Sequence, residues 1–381
     1  MHVIAVDRDP QALGFVLADE RAIISSEDEE AVDRLARARD VDGIVSPGAD
    51  WPVGIAARVA ERIGLAHPIT ARTGSIVTSK ARQREAFAAA GVPHARELDP
   101  RDAELPFPLV VKAPDRQGQR GLALVRTPGE LGAALATALA ESRGGAVLVE
   151  EHVEGPEVTV NAVSVDGRFV PLTVTDRLTA EPPAFGVALA HVWPSRHDTT
   201  AAVDAAGAAV AAVGIRNGPS YTQLRLGPAG PVVMEVAARL GGGHDAELCA
   251  AATGVDLNAL AVSFALDDDM SSCQARGGGA KEKGAAVVFL VPPVGRLVEV
   301  EGVAEAEAVP GLRWVRVYRR PGHVFGPLRG GADRAGAVLV TGADRDDALE
   351  RGATTRPHRP GSVRRPPHGA PAPARPRGLP P

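Results

Sequence analysis

The chain has 381 residues, 45% of them hydrophobic and 23% charged, an ordinary balance for a folded protein of two or three domains. No apolar stretch reaches the eighteen or so residues that span a bilayer, and the start MHVIAVDRDP has neither a basic leader nor a cleavage site, so the cytoplasm is the expected compartment. The net charge of -5 hides a basic tail: residues 351–381 hold seven Arg, nine Pro and no Asp or Glu, leaving 35 basic against 47 acidic residues elsewhere, and so acidic a body argues against a nucleic-acid groove.

In chain order, HVIAV reads as a buried strand, followed by DRDP and a helical pattern to about Asp19. RAIISS then reads as a strand, DEEAVDRLARARD as a helix with acids in its first turn, VDGIVSP as a strand and PVGIAARVAERIGL as a helix. This alternation predicts a small parallel α/β domain over residues 1–70. Asp7 and Asp9 sit where a dinucleotide fold carries its acid, but no GxGxxG precedes them, so they read as turn or cap acids.

From SKARQREAFAAAGVP the pattern changes: Lys80 opens a helix that stops at Gly91 and Pro93. The strand PLVVK, the loop APDRQGQRG, the strand LALV and a helix from Pro128 to Ser142 follow. AVLVEEHV is a strand ending in acids, and EVTVNAVSVDGRFVPLTVT is an antiparallel hairpin turned at Asp166 and Gly167. Residues 176–198 are poorly patterned, TAAVDAAGAAVAAVG is a small-residue helix, and SYTQLRLGPAGPVVMEVAARL is two strands joined by a Gly/Pro turn. A last segment, from AAVVFLVPP to AGAVLVTG, adds further strands. Cys249 and Cys273 share no ligand cluster and read as reduced structural residues.

Only four lysines occur, Lys80, Lys112, Lys281 and Lys283, so arginine is the default cation and a lysine offers what a planar guanidinium cannot, a compact point charge. Two of them belong to an ordered set: Lys80 at a helix start, Lys112 on a strand before a loop with Gly118 and Gly121, Glu150 and Glu151 on the next strand, then QLRLGPAGPVVMEVAAR. In that order and spacing, residues 71–278 resemble the ATP-grasp superfamily of carboxylate-amine and carboxylate-thiol ligases, including the ATP-grasp domains of biotin carboxylase and carbamoyl-phosphate synthetase. The resemblance implies a mixed α/β and α+β chain. It would have an N-terminal parallel α/β domain (1–70), a two-lobed ATP-grasp domain (71–278), a small α+β C-terminal domain (279–350) and a disordered Pro/Arg-rich tail (351–381).

It also implies ATP with Mg²⁺ or Mn²⁺ as cofactors and a role for each motif. Lys112 and Lys80 would lie on the phosphates beneath the backbone N–H groups of Gln117 to Gly121. Glu150 and Glu151 would sit at the adenine amino group, Val153 would supply a backbone N–H to the ring, and Glu157 would reach the ribose hydroxyls. Gln223 and Glu235 would hold the metal, a hard cation that wants oxygen ligands. Arg239 would clamp the γ-phosphate and then the acyl phosphate. Taken singly, each piece has a plainer reading: a solvated loop, a surface helix cation, a solvated pair of strand-end acids, a half-buried strand with outward polar residues.

The family's usual E-x-N-x-R here reads Glu235-Val-Ala237-Ala-Arg239, so alanine stands for the asparagine ligand and water is left to complete a second metal. LGGGHDAELCAAATG follows, three glycines opening a helix with Asp245 as its expected N-cap, a geometry suited to a substrate carboxylate; His244 reads as a local hydrogen bonder rather than a proton shuttle.

The implied chemistry is an ADP-forming ligation in which a carboxylate attacks the γ-phosphate and an amine captures the acyl phosphate, with small-molecule substrates and no membrane partner; homodimers are common among such relatives. Residues 284–352 resemble the C-terminal domain of the L-amino-acid ligase branch, which favours an amino acid as the carboxylate. The alternatives are a bicarbonate-activating enzyme of the biotin-carboxylase or carbamoyl-phosphate kind, and a nucleotide-binding protein with impaired turnover. The family pattern also predicts a strand, loop and helix ahead of Met1, and an amphipathic helix and closing strand beyond DRDDALERG. Residues 351–381 accordingly read as a frameshift product or as a genuine basic linker.

Overall fold

The N-terminal alternation forms only in part. β1 (Ile4–Val6) and β2 (Glu20–Ala22) pair in parallel, with Ile4 against Glu20. The helix expected between them is a short 3-10 turn, Leu13–Leu17. Asp7 accepts from the Asp9 N–H at 2.8 Å and Asp9 from that of Gln11 at 2.9 Å, so these acids build turns, which compete with helix. α1 (Glu29–Arg39) starts at Asp28, whose carboxylate accepts from the Ala31 N–H at 3.0 Å; α2 (Asp50–Ile63) follows. VDGIVSP between them is not a strand. Its backbone is engaged elsewhere: the Pro47 carbonyl accepts from Leu240, and a Cβ at Gly43 would lie 2.6 Å from the Ala265 carbonyl oxygen. An apolar run carries no information about whether a ladder partner exists. This computed structural model describes residues 1–268 and 282–355 and the backbone of Val363–Arg364; Cys273, Lys281 and nearly all of the tail, with the readings placed on them, lie outside the described residues.

α3 (Ala71–Val77) and α4 (Lys80–Ala90) are capped by Thr70 and Ser79, and α4 ends on Gly91 at φ +69°. β3 (Leu109–Lys112), β4 (Ala123–Val125) and β5 (Leu148–Glu151) form a three-stranded antiparallel sheet with β3 central, backed by α5 (Pro128–Glu141). Leu109, Val111, Val125, Ala138 and Val149 make its own core, so it is a separate cover.

The main sheet begins with the hairpin β6 (Glu157–Val165) and β7 (Arg168–Thr179), turned at Asp166 (φ +52°) and Gly167 (φ +86°) as predicted. β8 (Ala188–Trp193), α6 (Thr200–Ala212), β9 (Gly218–Gly227), β10 (Gly230–Ala237), α7 (Asp245–Thr253) and α8 (Leu257–Ala265) follow. The chain then adds β11 (Gly284–Leu290), β12 (Gly295–Leu297), α9 (Val303–Glu307), β13 (Leu312–Val317), β14 (Val324–Phe325), β15 (Gly336–Gly342), α10 (Arg345–Thr354) and β16 (Val363–Arg364). The sheet runs β10-β9-β6-β7-β8-β11-β15-β13, so the C-terminal segment extends the platform through the antiparallel β8–β11 ladder rather than standing apart from it. One face, with Val158, Val160, Leu224 and Val236, packs on the alanines of α6 and on Phe87 of α4. Alanine lets helix and sheet approach closely, which is how a core with so few aromatic residues closes. Period-2 alternation turns Glu157, Thr159 and Asn161 of β6 and Tyr221, Gln223 and Arg225 of β9 to the other face.

The amphipathic helix expected beyond DRDDALERG is that segment itself. Asp344 caps α10 by accepting from the Asp347 N–H at 2.9 Å, and the helix runs through Thr354, four residues into the stretch assigned to the tail; β16 then pairs with β12.

Candidate functional site

Between the small cover sheet and the polar face of the main sheet lies an open cleft lined by, among others, Lys80, Lys112, Gly118, Val153, Gln223 and Glu235. The β9–β10 register places Gln223 directly opposite Glu235, next to a bulge between Val233 and Glu235 that re-aims the carboxylate. The Gln223 amide nitrogen donates to Glu157, an anion that can only accept, so its carbonyl oxygen is left for the cleft. Lys80 Nζ lies 3.0 Å from Glu235 Oε1 and donates to the Arg116 carbonyl at 2.9 Å. Gln223 and Glu235 thus set two oxygen donors side by side, the donor type a hard cation such as Mg²⁺ takes.

Lys112 is buried at the end of β3 and ion-paired with Glu150, whose other neighbour is Arg84, Nε to Oε1 at 2.5 Å. Burial pushes the lysine down to about 8, partly offset by Glu150. Burial alone would raise Glu150, but Lys112 and then Arg84 outweigh it and hold the carboxyl below its usual range. Glu150 therefore neutralises two cations. Successive strand residues face opposite sides: Glu151 turns the other way, accepting from the Arg96 N–H at 3.1 Å. The two acids expected together at one adenine amino group thus have side chains on opposite sides of β5. Val153 offers its carbonyl to Arg225 at 3.3 Å, and Glu157 is buried, accepting from Arg177 and Gln223. Anionic phosphates arriving beside Lys112 should raise its pKa. Calorimetry at pH 8.5 in buffers of different ionisation enthalpy is therefore expected to show fractional proton uptake on ATP binding, lost in Lys112→Met; equal uptake in both would contradict this.

The loop after β3 is shaped by left-handed residues, Gly118 (φ +71°), Gln119 (φ +63°) and Gly121 (φ +69°), and a Cβ on Gly121 would lie 3.0 Å from the Glu141 side chain. It is docked at both ends of the cleft. The Gln117 side-chain oxygen accepts from the Asp50 N–H at 2.8 Å, and the Gly118 carbonyl abuts Gly330 of the β14–β15 connection.

Arg239 Nε meets Asp50 of α2 at 2.5 Å, and Nη1 donates to the Leu240 carbonyl. Beyond it the three glycines press onto the sheet: a Cβ on Gly241 would lie 2.8 Å from Asn161 and Tyr221, one on Gly243 2.9 Å from Phe289 and 3.1 Å from His191. Asp245 is not the N-cap. His244 holds that position at φ +62°, and the Asp245 carboxylate turns inward to accept from Thr159 at 2.8 Å and Thr175 at 3.3 Å, where burial raises it to about 6.

Sequence reasoning missed Arg334. Its guanidinium is buried 3.7 Å above the Phe289 ring, its Nε has no hydrogen-bond partner, and no carboxylate lies within ion-pair distance among the described residues; burial, and then Arg177, push it down to about 10. GGADRAG is an ordinary loop in sequence, and only the fold shows this arginine to be a cation without an anion among the described residues.

A sheet platform under a small lid sheet, with lysines and paired oxygen donors between them, defines a nucleotide-dependent ligase of the ATP-grasp superfamily. The chain belongs to the family described as carbamoyl-phosphate synthase L chain, ATP binding domain, which matches residues 80–273, just over half its length; residues 288–356 match L-amino acid ligase C-terminal domain 2. The uncharacterized protein y4rH of Sinorhizobium fredii is 27% identical over 374 residues, covering 91% of this chain and 75% of that protein. By fold, the chain resembles the L-amino acid ligase from Bacillus licheniformis, with TM-score 0.80, 20% identity and coverage of 93% of this chain and 97% of that one. It also resembles the biotin carboxylase domain of the Hydrogenobacter thermophilus 2-oxoglutarate carboxylase, crystallised with MgADP and bicarbonate, with TM-score 0.72, 18% identity and coverage of 93% and 84%. Among the described residues no single helix is long and apolar enough to cross a membrane.

Proposed function

We propose that the chain joins a small carboxylic acid, an amino acid, to an amine at the expense of ATP, through an acyl phosphate. The observation that carries this reading is the occupancy of one sheet face. Gln223 and Glu235 stand beside Lys80 and Lys112 at one edge, and Arg334, without an ion-pair partner among the described residues, lies toward the other. The first group suits a nucleoside triphosphate and its metal, the second the carboxylate of a small acid. Lys112 and Lys80 hold phosphate oxygens beneath the Gly118–Gly121 flap, with Glu150 behind Lys112 as its counter-ion; Val153 borders the adenine, and Glu157 the ribose. Gln223 and Glu235 would hold Mg²⁺, which when bound neutralises charge on the phosphates. Ala237 leaves any second ion to water. Arg239 exchanges Asp50 for the transferred phosphoryl group. Both substrates are small molecules, and positioning and electrostatics carry the reaction, with no covalent enzyme nucleophile.

Incubation with ATP, MgCl₂, hydroxylamine and each L-amino acid in turn is expected to give ADP and a hydroxamate from at least one of them. The family match to carbamoyl-phosphate synthase favours a second reading, bicarbonate activation. ATP hydrolysis dependent on bicarbonate, with no hydroxamate from any amino acid, would establish that reading in place of the first. Nucleotide binding without either activity would mark the chain as a binder with impaired turnover.

A further inference from the structure

Next to Arg334 is a chain of hydrogen bonds that the phosphoryl-transfer step does not use. His244 Nε2 lies 2.5 Å from the Tyr318 hydroxyl, and its Nδ1 lies 3.0 Å from Glu247 Oε1. Three alternate residues of the strand-edge segment at β13 face this one imidazole: Trp314, edge-on with ring centroids 4.8 Å apart, Arg316, and Tyr318. His244 is a non-glycine residue at φ +62°, a backbone state that costs free energy and is kept where the surroundings impose it. Arg316 Nη1 approaches both Glu247, at 2.8 Å, and His244 Nδ1, at 3.1 Å. Since it already donates to the carboxylate, the Nδ1 proton best completes the Glu247 oxygen, and Nε2 then accepts from the phenol. The order phenol, imidazole, carboxylate is that of a nucleophile–base–orienter triad with tyrosine in first place. The charged and titratable groups that face the imidazole are Glu247 on its own helix, Arg316 and Tyr318 at β13, and, further off, His191 and Arg334.

We propose that Tyr318 is the general base of the amide-forming step, with His244 and Glu247 as positioning residues behind it; this rests on the ligase reading above. The attacking amine forms its C–N bond to the acyl carbon with its lone pair, and the C–O bond to the phosphoryl group breaks with its electrons leaving on phosphate. The surplus N–H proton passes to the Tyr318 oxygen as the phenolic proton passes to His244 Nε2, and the imidazolium is stabilised by Glu247. Half-buried Tyr318, with a pKa raised to about 12 chiefly by burial, transfers a proton in concert instead of standing as a phenolate.

Tyr318→Phe keeps the ring that packs on His244 and removes only the hydroxyl. With the full chain, ATP-Mg²⁺ and an amino acid that gives a hydroxamate, amide synthesis with a second amino acid is expected to fall about 100-fold relative to hydroxamate synthesis. Hydroxylamine, unprotonated at neutral pH, needs little help from a base. His244→Asn, which tolerates the left-handed backbone, should change the same product ratio about tenfold. Equal losses of hydroxamate and amide in Tyr318→Phe, or no change in either, would overturn the relay. If the wild-type chain gives neither product from any amino acid, the ligase reading fails first and the relay with it.

Discussion

Replacing Glu235 by alanine is expected to lower ATP turnover by on the order of 10³-fold, because on the proposed reading it removes one of the two protein oxygens that would hold the metal, whose charge neutralisation at the phosphates is worth several kcal/mol. Little stability should be lost alongside. The Lys80–Glu235 pair is partly open to solvent, with side chains 13% and 23% exposed, and such pairs contribute about 0–1 kcal/mol; Lys80 also keeps its bond to the Arg116 carbonyl. Phosphate release measured across a Mg²⁺ titration checks both points. Glu235→Gln should need more Mg²⁺ and recover part of the rate, and an alanine variant within tenfold of wild type would place the metal elsewhere.

Glu150→Ala is expected to be the most damaging single change to the fold, by about 3–5 kcal/mol, because it strands two buried cations instead of deleting one weak contact. Arg84 is 1% exposed and Lys112 8%, and both lose the carboxylate that meets them. The pH dependence has a definite sign. A carboxyl whose folded pKa is depressed contributes stability that is present above its unfolded value of 4.5 and is lost as pH falls through the folded pKa. Urea denaturation should therefore show the gap between wild type and variant narrowing in acid. Glu150→Leu combined with Lys112→Met, which removes both charges of the pair, should recover part of the loss. A variant as stable as wild type at pH 7 would mean that the two cations find water, not Glu150.

What was legible in the sequence follows the range of the forces involved. The β6–β7 hairpin, the start of α4 at Lys80 and its stop at Gly91, and the facing of Gln223 and Glu235 are local or period-2 features, set by residues within a few positions of one another. VDGIVSP failed as a strand because pairing needs a partner that periodicity cannot supply. Glu150 and Glu151 read as one acidic pair, although alternation already put them on opposite sides of β5, and only the fold shows Arg84 claiming Glu150 from 66 positions away. Asp245 looked like a cap because a cap is a local motif, while its true partners, Thr159 and Thr175, lie 86 and 70 positions back. Arg334 and the Tyr318–His244 contact were illegible for the same reason: Tyr318 lies 74 positions from His244 and only the fold sets Arg334 over Phe289, whereas the His244–Glu247 bond is a local contact between residues three apart.

That the β8–β11 ladder makes a single sheet of both segments turns the platform into a ruler. Gln223 on β9 and Phe289 on β11, which lies under Arg334, are separated by the strands β6, β7 and β8, and at ~4.8 Å per strand they stand about 19 Å apart across the strands. Hydrogen bonds fix that span, and hinge motion cannot lengthen it. On the ligase reading proposed above, room for a longer acid would come from paring the side chains that stand on the intervening strands, Thr159 and Thr175 among them, so relatives that take bulkier acids should differ there while keeping the two ends unchanged.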